Sequence, residues 1–414
     1  MSEQKNGRSV AIWGEAKDTS ERLHEETLLN VHLNYWHIRS QKAKADGAQN
    51  FLDVGIMVYG PAQLSHLCLY VPFDVSIADL EDLGPRFAQS LVASIVFNEN
   101  LRTESYHKSN FIELLHDHDG SLHSRVYRFA KGQNEAPSQN EMALVQEENG
   151  TIIKICQSAL SKGSADLPAG RPLYFRIRVR VAEKQGARFI RTIKPVDAWL
   201  LSSFDNTEFL DFRLNEARNL PDGIMHKMSP AATNNAQVPI TRVDFLVIVG
   251  EAAEVADGVE CNKKRLLESE LWDTYTKSKV GCKDGLSDGM VIYHWKKTTP
   301  NFSDIGDFSA FIKLKLRRSG FSLVCRYLFV IAIIGCLGSL IASVVWTRFG
   351  MEEFVKPKEH LAEVEKSQLR CTGEDGAIIS ANNSTLEPTQ SSAIKKSNDI
   401  GNALKCDKKE STNG

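Results

Sequence analysis

Several short stretches of the chain alternate apolar and polar residues, and these predict strands. Between Leu29 and Tyr35, the apolar Leu29, Val31, Leu33 and Tyr35 alternate with Asn30, His32 and Asn34, as in a half-buried strand. Phe51–Gly60 and Leu67–Phe73 follow after short polar or proline-containing breaks, and three strands so close together predict an antiparallel meander. Leu173–Val181 has the cleanest alternation. Tyr174, Arg176, Arg178 and Arg180 fall on one side, and Leu173, Phe175, Ile177, Val179 and Val181 on the other. This predicts one face on a core and one face in water. Ile240–Gly250, expected to be buried on both faces, and Gly289–Trp295 read as later strands.

Helical spacing is rarer. Ser76 heads a predicted helix to Leu83, with a serine to cap it and acids in its first turns. Pro85–Phe97 spaces Phe87, Leu91, Ile95 and Val96 helically, and Asn262–Lys277 reads as a surface helix with Leu266, Leu267 and Leu271 on one side. In Asp304–Arg318, Phe308, Phe311, Ile312 and Leu316 approximate one apolar helical face beside lysines and arginines. That predicts a basic amphipathic helix able to lie among lipid headgroups.

The longest apolar run is Tyr327–Trp346, twenty residues without a charge. At about 1.5 Å per residue it matches the roughly 30 Å of bilayer hydrocarbon, and Tyr327 and Trp346 stand where interfacial rings prefer to sit. Lys313, Lys315, Arg317, Arg318 and Arg326 precede it, whereas Arg348 is followed by Glu352 and Glu353 before Lys356 and Lys358. Basic flanks stay cytoplasmic, so the N-terminal region is expected inside and the tail outside. Met1–Glu26 has no apolar run of the secretory-signal kind, which agrees. Gly335, Ser339 and Ser343 recur every fourth residue, a small-residue stripe through which two such helices could associate.

The fold expected is α+β: a cytosolic domain rich in antiparallel sheet, one C-terminal transmembrane helix and a disordered tail. The boundaries are a soluble region over residues 1–303, as one large domain or two split near 131–150; a basic amphipathic juxtamembrane segment over 304–326; the transmembrane helix over 327–346; and a polar tail over 347–414. Lys131–Gly150 and Asn215–Pro239 read as linkers or long loops. The tail holds overlapping N-x-S/T sequons at Asn382 and Asn383, together with Cys371 and Cys406.

Composition changes little. The chain is 42% hydrophobic and 25% charged with a net charge of -2, so no basic excess points to nucleic acid. None of the eight cysteines forms a C-x-x-C pair, and no nucleotide-loop, hydrolase or zinc-protease motif occurs. No catalytic residue and no cofactor is assigned.

Two constellations remain. His116, Asp117, His118, Asp119 and His123 gather imidazoles and carboxylates that an ion could share, although Asp119-Gly120 is also a turn signal. Arg176, Arg178 and Arg180 could receive an anion, or pair with carboxylates of a neighbouring strand. The expected partners are the lipid bilayer, a second copy through the transmembrane helix, and a cytosolic ligand or protein. The sequence favours a single-pass membrane protein whose cytosolic domain binds or senses that ligand. Two alternatives stay open: a membrane-acting effector, for example in antiviral defence, that oligomerises through its anchor, and a membrane-bound hydrolase using His116 or His118.

Overall fold

The computed structural model describes residues 7–17, 27–38, 49–106, 109–132, 137–186, 188–193, 205–229, 238–250, 253–255, 261–282, 286, 289–317 and 321–348. The expected tail with its cysteines and sequons lies outside them from residue 349 onward. The described residues up to Phe329 belong to one compact unit.

The strands are β1 (Ala11–Ala16), β2 (Leu29–Ile38), β3 (Gln49–Val58), β4 (Leu64–Val71), β5 (Leu80–Asp82), β6 (Leu101–Ser105), β7 (Phe111–His116), β8 (Leu122–Tyr127) and β9 (Met142–Glu147). They continue as β10 (Gly150–Ile155), β11 (Leu173–Val181), β12 (Ile190–Ile193), β13 (Asp205–Leu214), β14 (Ile240–Val249), β15 (Ala253–Val255), β16 (Lys263–Leu266), β17 (Val291–Thr298) and β18 (Phe308–Arg317). A large sheet runs β16-β17-β14-β2-β3-β11-β8-β7-β6, with β5 also on β11. Two four-stranded sheets, β1-β4-β10-β9 and β12-β13-β18-β15, complete the set. Pairing is antiparallel throughout these sheets except at β2–β14 and β8–β11.

Alternation explains the layering. Leu29, Val31, Leu33 and Tyr35 of β2 join Val243, Phe245 and Val247 of β14 and Phe175, Ile177 and Val179 of β11 in one core. The small sheets enter the same core with Leu67 and Leu69, and with Leu210, Phe212, Ile312 and Leu314. A second core lies on the other face of the large sheet, where Trp36, Phe51 and Tyr174 meet the helices Ser90–Phe97 and Ser269–Thr276 through Val92, Ala93, Trp272 and Tyr275. Each sheet face thus has its own apolar cover, which is how an α+β arrangement buries both sides.

Several expectations need correction. Leu67–Phe73 does not continue a meander: β4 leaves β3 to pair with β1 and β10. Ser76 does form a capping box with Asp79, but the helix stops after one turn, because Leu80–Asp82 pairs with β11. Lys263–Leu266 is an exposed edge strand, and the helix after it buries Trp272 and Tyr275 while Leu266 faces solvent. Of the two domain divisions left open, the large sheet fits the single one, since β3 and β11 pair across 131–150.

The largest correction is at Phe308–Arg317, which is strand β18, paired with β13 along its whole length and with β15. Phe308, Ala310, Ile312 and Leu314 are buried, with a period of two, whereas Phe311 is 56% exposed. The helical grouping failed because Phe308, Phe311 and Ile312 fit a spacing of three and four almost as well as alternation.

Helix Phe321–Arg348 contains Val324–Arg348, 25 residues whose most apolar 18-residue stretch has a mean hydropathy of 2.7, long and apolar enough to cross a membrane. Leu328, Phe329, Ile331, Ile334, Leu340 and Ile341 are exposed, unlike the side chains of a core helix. Gly335, Ser339 and Ser343 lie along it, also exposed.

Candidate functional site

Register sets the site. Across the middle of the large sheet, Asp244 of β14 stands beside His32 of β2, then Gly55 of β3, then Arg176 of β11. One step along, the row is Leu246, Asn34, Asp53 and Arg178. These are the polar halves of the alternations whose apolar halves build the main core.

Gly55 is the empty place in the first row. A Cβ there would lie 2.1 Å from the Tyr174 hydroxyl and 2.8 Å from Arg176 Nη1, so glycine is what lets Tyr174 lie across the sheet. The hydroxyl accepts from Arg176 Nη1 at 2.8 Å and reaches His32 Nδ1 at 3.4 Å. Guanidinium only donates, so the hydroxyl proton points to His32 Nδ1, leaving Nε2 as the protonated nitrogen toward Asp244 Oδ2, 3.8 Å away.

Asp244 is the focus of the cluster. His294 Nε2 donates to its Oδ1 at 3.0 Å, and Arg242 Nε donates to its Oδ2. Burial raises its pKa, but the bonds from His294 and Arg242 prevail and hold the carboxyl down to about 2. For His32, burial dominates over the pull of Asp244 and pushes the imidazole down to about 3. At neutral pH the pair is therefore an ionised carboxylate beside a neutral imidazole.

Above these residues lies a cavity of about 630 Å³. Its floor is Asn30, His32, Asn34, Arg176, Arg242, Asp244 and His294; Phe97, Asn98 and Glu99 close one side, Trp272 and Ile292 another. Asn98 holds a left-handed backbone at φ 56°, ending the helix Ser90–Phe97 so that the chain turns over the opening. Lys263 and Arg265 of the edge strand, and Lys296, stand at the rim. All three are exposed, and no described carboxylate pairs with them.

The predicted arginines are only partly at this site. Arg176 lines the cavity, with Nε also donating to the Tyr275 hydroxyl at 2.7 Å. Arg178 is fully buried against Asp53, 2.6 Å away. Arg180 is half-buried and donates to the Lys279 carbonyl. The expectation of a wet arginine face is therefore overturned, because helix Ser269–Thr276 covers it. The cross-strand carboxylate is present, but inside the protein.

The histidines sit at the β7–β8 turn. His116 ends β7, His118 is 74% exposed in the turn, and His123 starts into β8, its ring 5.2 Å from that of His116. His123 alone reaches the cavity, packed on Phe97 at 4.8 Å, and its pKa is lowered by burial first. Glu99 Oε2 lies 3.6 Å from His116 and 3.9 Å from His123. Among the described residues no three His, Cys, Asp or Glu side chains are placed to hold a metal ion.

Sequence reasoning missed Asp244, His294 and Arg242, and saw His32 only as the polar half of a strand. The available signal was a histidine, rather than a lysine or serine, on the polar side of β2 and again in β17, with a glycine inside the alternation of β3. No family model matches the chain, and no curated protein is detectably similar to it.

Proposed function

We propose that this chain is a single-pass membrane protein whose β-rich domain binds a small anionic ligand in the cavity over β2, β14 and β17. The observation that carries the reading is the contrast between floor and rim. On the floor Tyr174 joins Arg176 to His32 by hydrogen bonds, and Asp244 is already held by His294 and Arg242. At the rim Lys263, Arg265 and Lys296 have no described carboxylate to neutralise them. Cations gathered at the mouth of a low-dielectric recess attract negative charge. Phe97 and Trp272 add apolar walls for the ligand's uncharged part, as ligand pockets usually provide.

Binding is favoured over catalysis on chemical grounds. An acid–base catalyst works best with a pKa near the working pH. Asp244 and His32 are both held well below neutrality, one ionised and one neutral.

The helix Val324–Arg348 supports anchoring, and the excess of basic residues ahead of it favours a cytosolic domain. The small-residue stripe of Gly335, Ser339 and Ser343 supports association of two anchors in lipid.

Two measurements test the proposal. The chain should remain with membranes after alkaline carbonate extraction. Calorimetry on the detergent-purified chain, with a panel of nucleotides, sugar phosphates and dicarboxylates, should find an anion whose affinity falls about tenfold in an Arg265→Glu, Lys296→Glu variant. An affinity indifferent to both substitutions and to salt would overturn it.

A further inference from the structure

The outer face of the sheet β12-β13-β18-β15 carries aromatic and basic side chains together. Alternation sends Phe308, Ala310, Ile312 and Leu314 inward, so Phe311, Lys313 and Lys315 of β18 point the other way. Register brings β13 and β12 into line: Lys313 faces Phe209, and Phe209 faces Arg191. The Phe209 and Phe311 rings stack at 5.7 Å with 24° between planes, and Lys313 Nζ lies 5.8 Å from the Phe209 ring. Phe311 is 56% exposed and Ile193, further along β12, 45%. No described carboxylate pairs with Arg191, Lys313 or Lys315.

We infer that this face docks on an anionic lipid surface, the headgroup layer of the bilayer that its own helix enters; the inference rests on the reading of that helix as an anchor. Two observations select the occupant. The first is composition: aromatic rings with lysines and an arginine beside them match the headgroup region, where rings sit at the apolar boundary and cations meet anionic lipid. The second is chain length. Strand β18 ends at Arg317, and the apolar helix starts at Phe321. At no more than about 3.6 Å per residue, the end of β18 stays within roughly 14 Å of the start of the helix. A soluble acidic partner would need no such tether.

Replacing the expected amphipathic helix by a strand changes which residues touch lipid. The helical grouping puts Phe308, Ile312 and Leu316 at the membrane. In the strand, Phe308 and Ile312 are core, and Phe311, Lys313 and Lys315 make the contact.

The test uses the intact chain in nanodiscs of phosphatidylcholine, with or without phosphatidylglycerol, and amine-reactive labelling read by mass spectrometry. Labelling of Lys313 and Lys315 should fall about fivefold in the anionic discs, while the exposed Lys131 is unchanged, and high salt should restore it. Equal labelling in both kinds of disc would overturn the inference and leave the anchor reading intact. A chain that inserts into neither disc would overturn the anchor reading, and this one with it.

Discussion

Arg178 and Asp53 face each other across β11 and β3 as a bidentate pair with no solvent exposure, Nε to Oδ1 at 2.6 Å and Nη2 to Oδ2 at 3.0 Å. The pair is complete: Trp36 Nε1 and the Tyr275 hydroxyl also donate to Oδ2, and Arg178 Nη1 donates to the Thr276 carbonyl. A buried ion pair offsets its desolvation only when every lone pair and proton is used. Here both carboxylate oxygens and all three guanidinium nitrogens are engaged, and the bonds to Tyr275 and Thr276 fasten the helix Ser269–Thr276 over the sheet. Asp53→Ala should therefore cost about 3–5 kcal/mol, because it strands a buried guanidinium. Asp53→Leu with Arg178→Met should cost much less. Denaturant midpoints of the detergent-solubilised chain check both, and equal losses would refute the ion-pair account.

Gly55→Ala tests the row of four. The added methyl collides with the Tyr174 hydroxyl, so either the ring or the strand must move. The expected loss is about 1–3 kcal/mol. The His32–Tyr174 contact should go with it, visible as a change in the imidazole nitrogen shifts of His32 by NMR.

Stability against pH should show two opposed slopes. His32 is pushed from 6.5 down to about 3, so between those values the unfolded chain binds a proton that the folded chain refuses. Stability from this group therefore falls as pH drops through that window. Asp82 is the reverse: burial raises it from 3.8 to about 7, against the backbone N–H bonds from Gly84 and Phe129. Its contribution is full below 3.8 and is lost as pH rises through 7. These two contributions should thus largely cancel between about pH 4 and pH 7, where their slopes oppose. His32→Gln should leave stability falling with pH, and Asp82→Asn should leave it rising. Urea midpoints across the range decide it, and parallel profiles for all three proteins would refute the assignment.

The strand at Phe308–Arg317 makes a prediction with a period of two. Ile312, fully buried, should cost about 2–4 kcal/mol on replacement by alanine. Its neighbour Phe311 points outward and should cost under about 1 kcal/mol. A helix would put these adjacent residues on nearly the same side and spread the loss over both. Thermal unfolding of the two single variants distinguishes the cases.

The main frame was legible in the sequence because it rests on alternation and on one long apolar run. Leu29–Tyr35, Leu173–Val181 and Ile240–Gly250 are strands for the reason their patterns predict, and the long apolar stretch is an exposed helix. Alternation, however, says only that two faces differ, not that the polar one is wet. Arg176 and Arg178 show the gap: the cover is Trp272 and Tyr275, almost a hundred residues later, and no local signal announces that packing. The site was hidden for a related reason. Asp244 meets His32 only through the parallel pairing of β14 with β2, and His294 arrives from β17, so three distant segments must be in register before the cluster exists. At β18 the pattern was short enough to fit two periods, and pairing with β13 decided between them.

The pairing of β13 with β18 also orders events in time. On a growing chain β13 is made about a hundred residues before its partner, and until then one edge of that strand has no mate. When β18 does emerge, the apolar helix follows it by three residues. The last strand of the domain and the first turn of the helix thus leave the ribosome almost together. In a chain of this order the third sheet closes only as the apolar segment is made, so under the proposed anchoring the folding of the domain and the insertion of the helix would be coupled rather than successive.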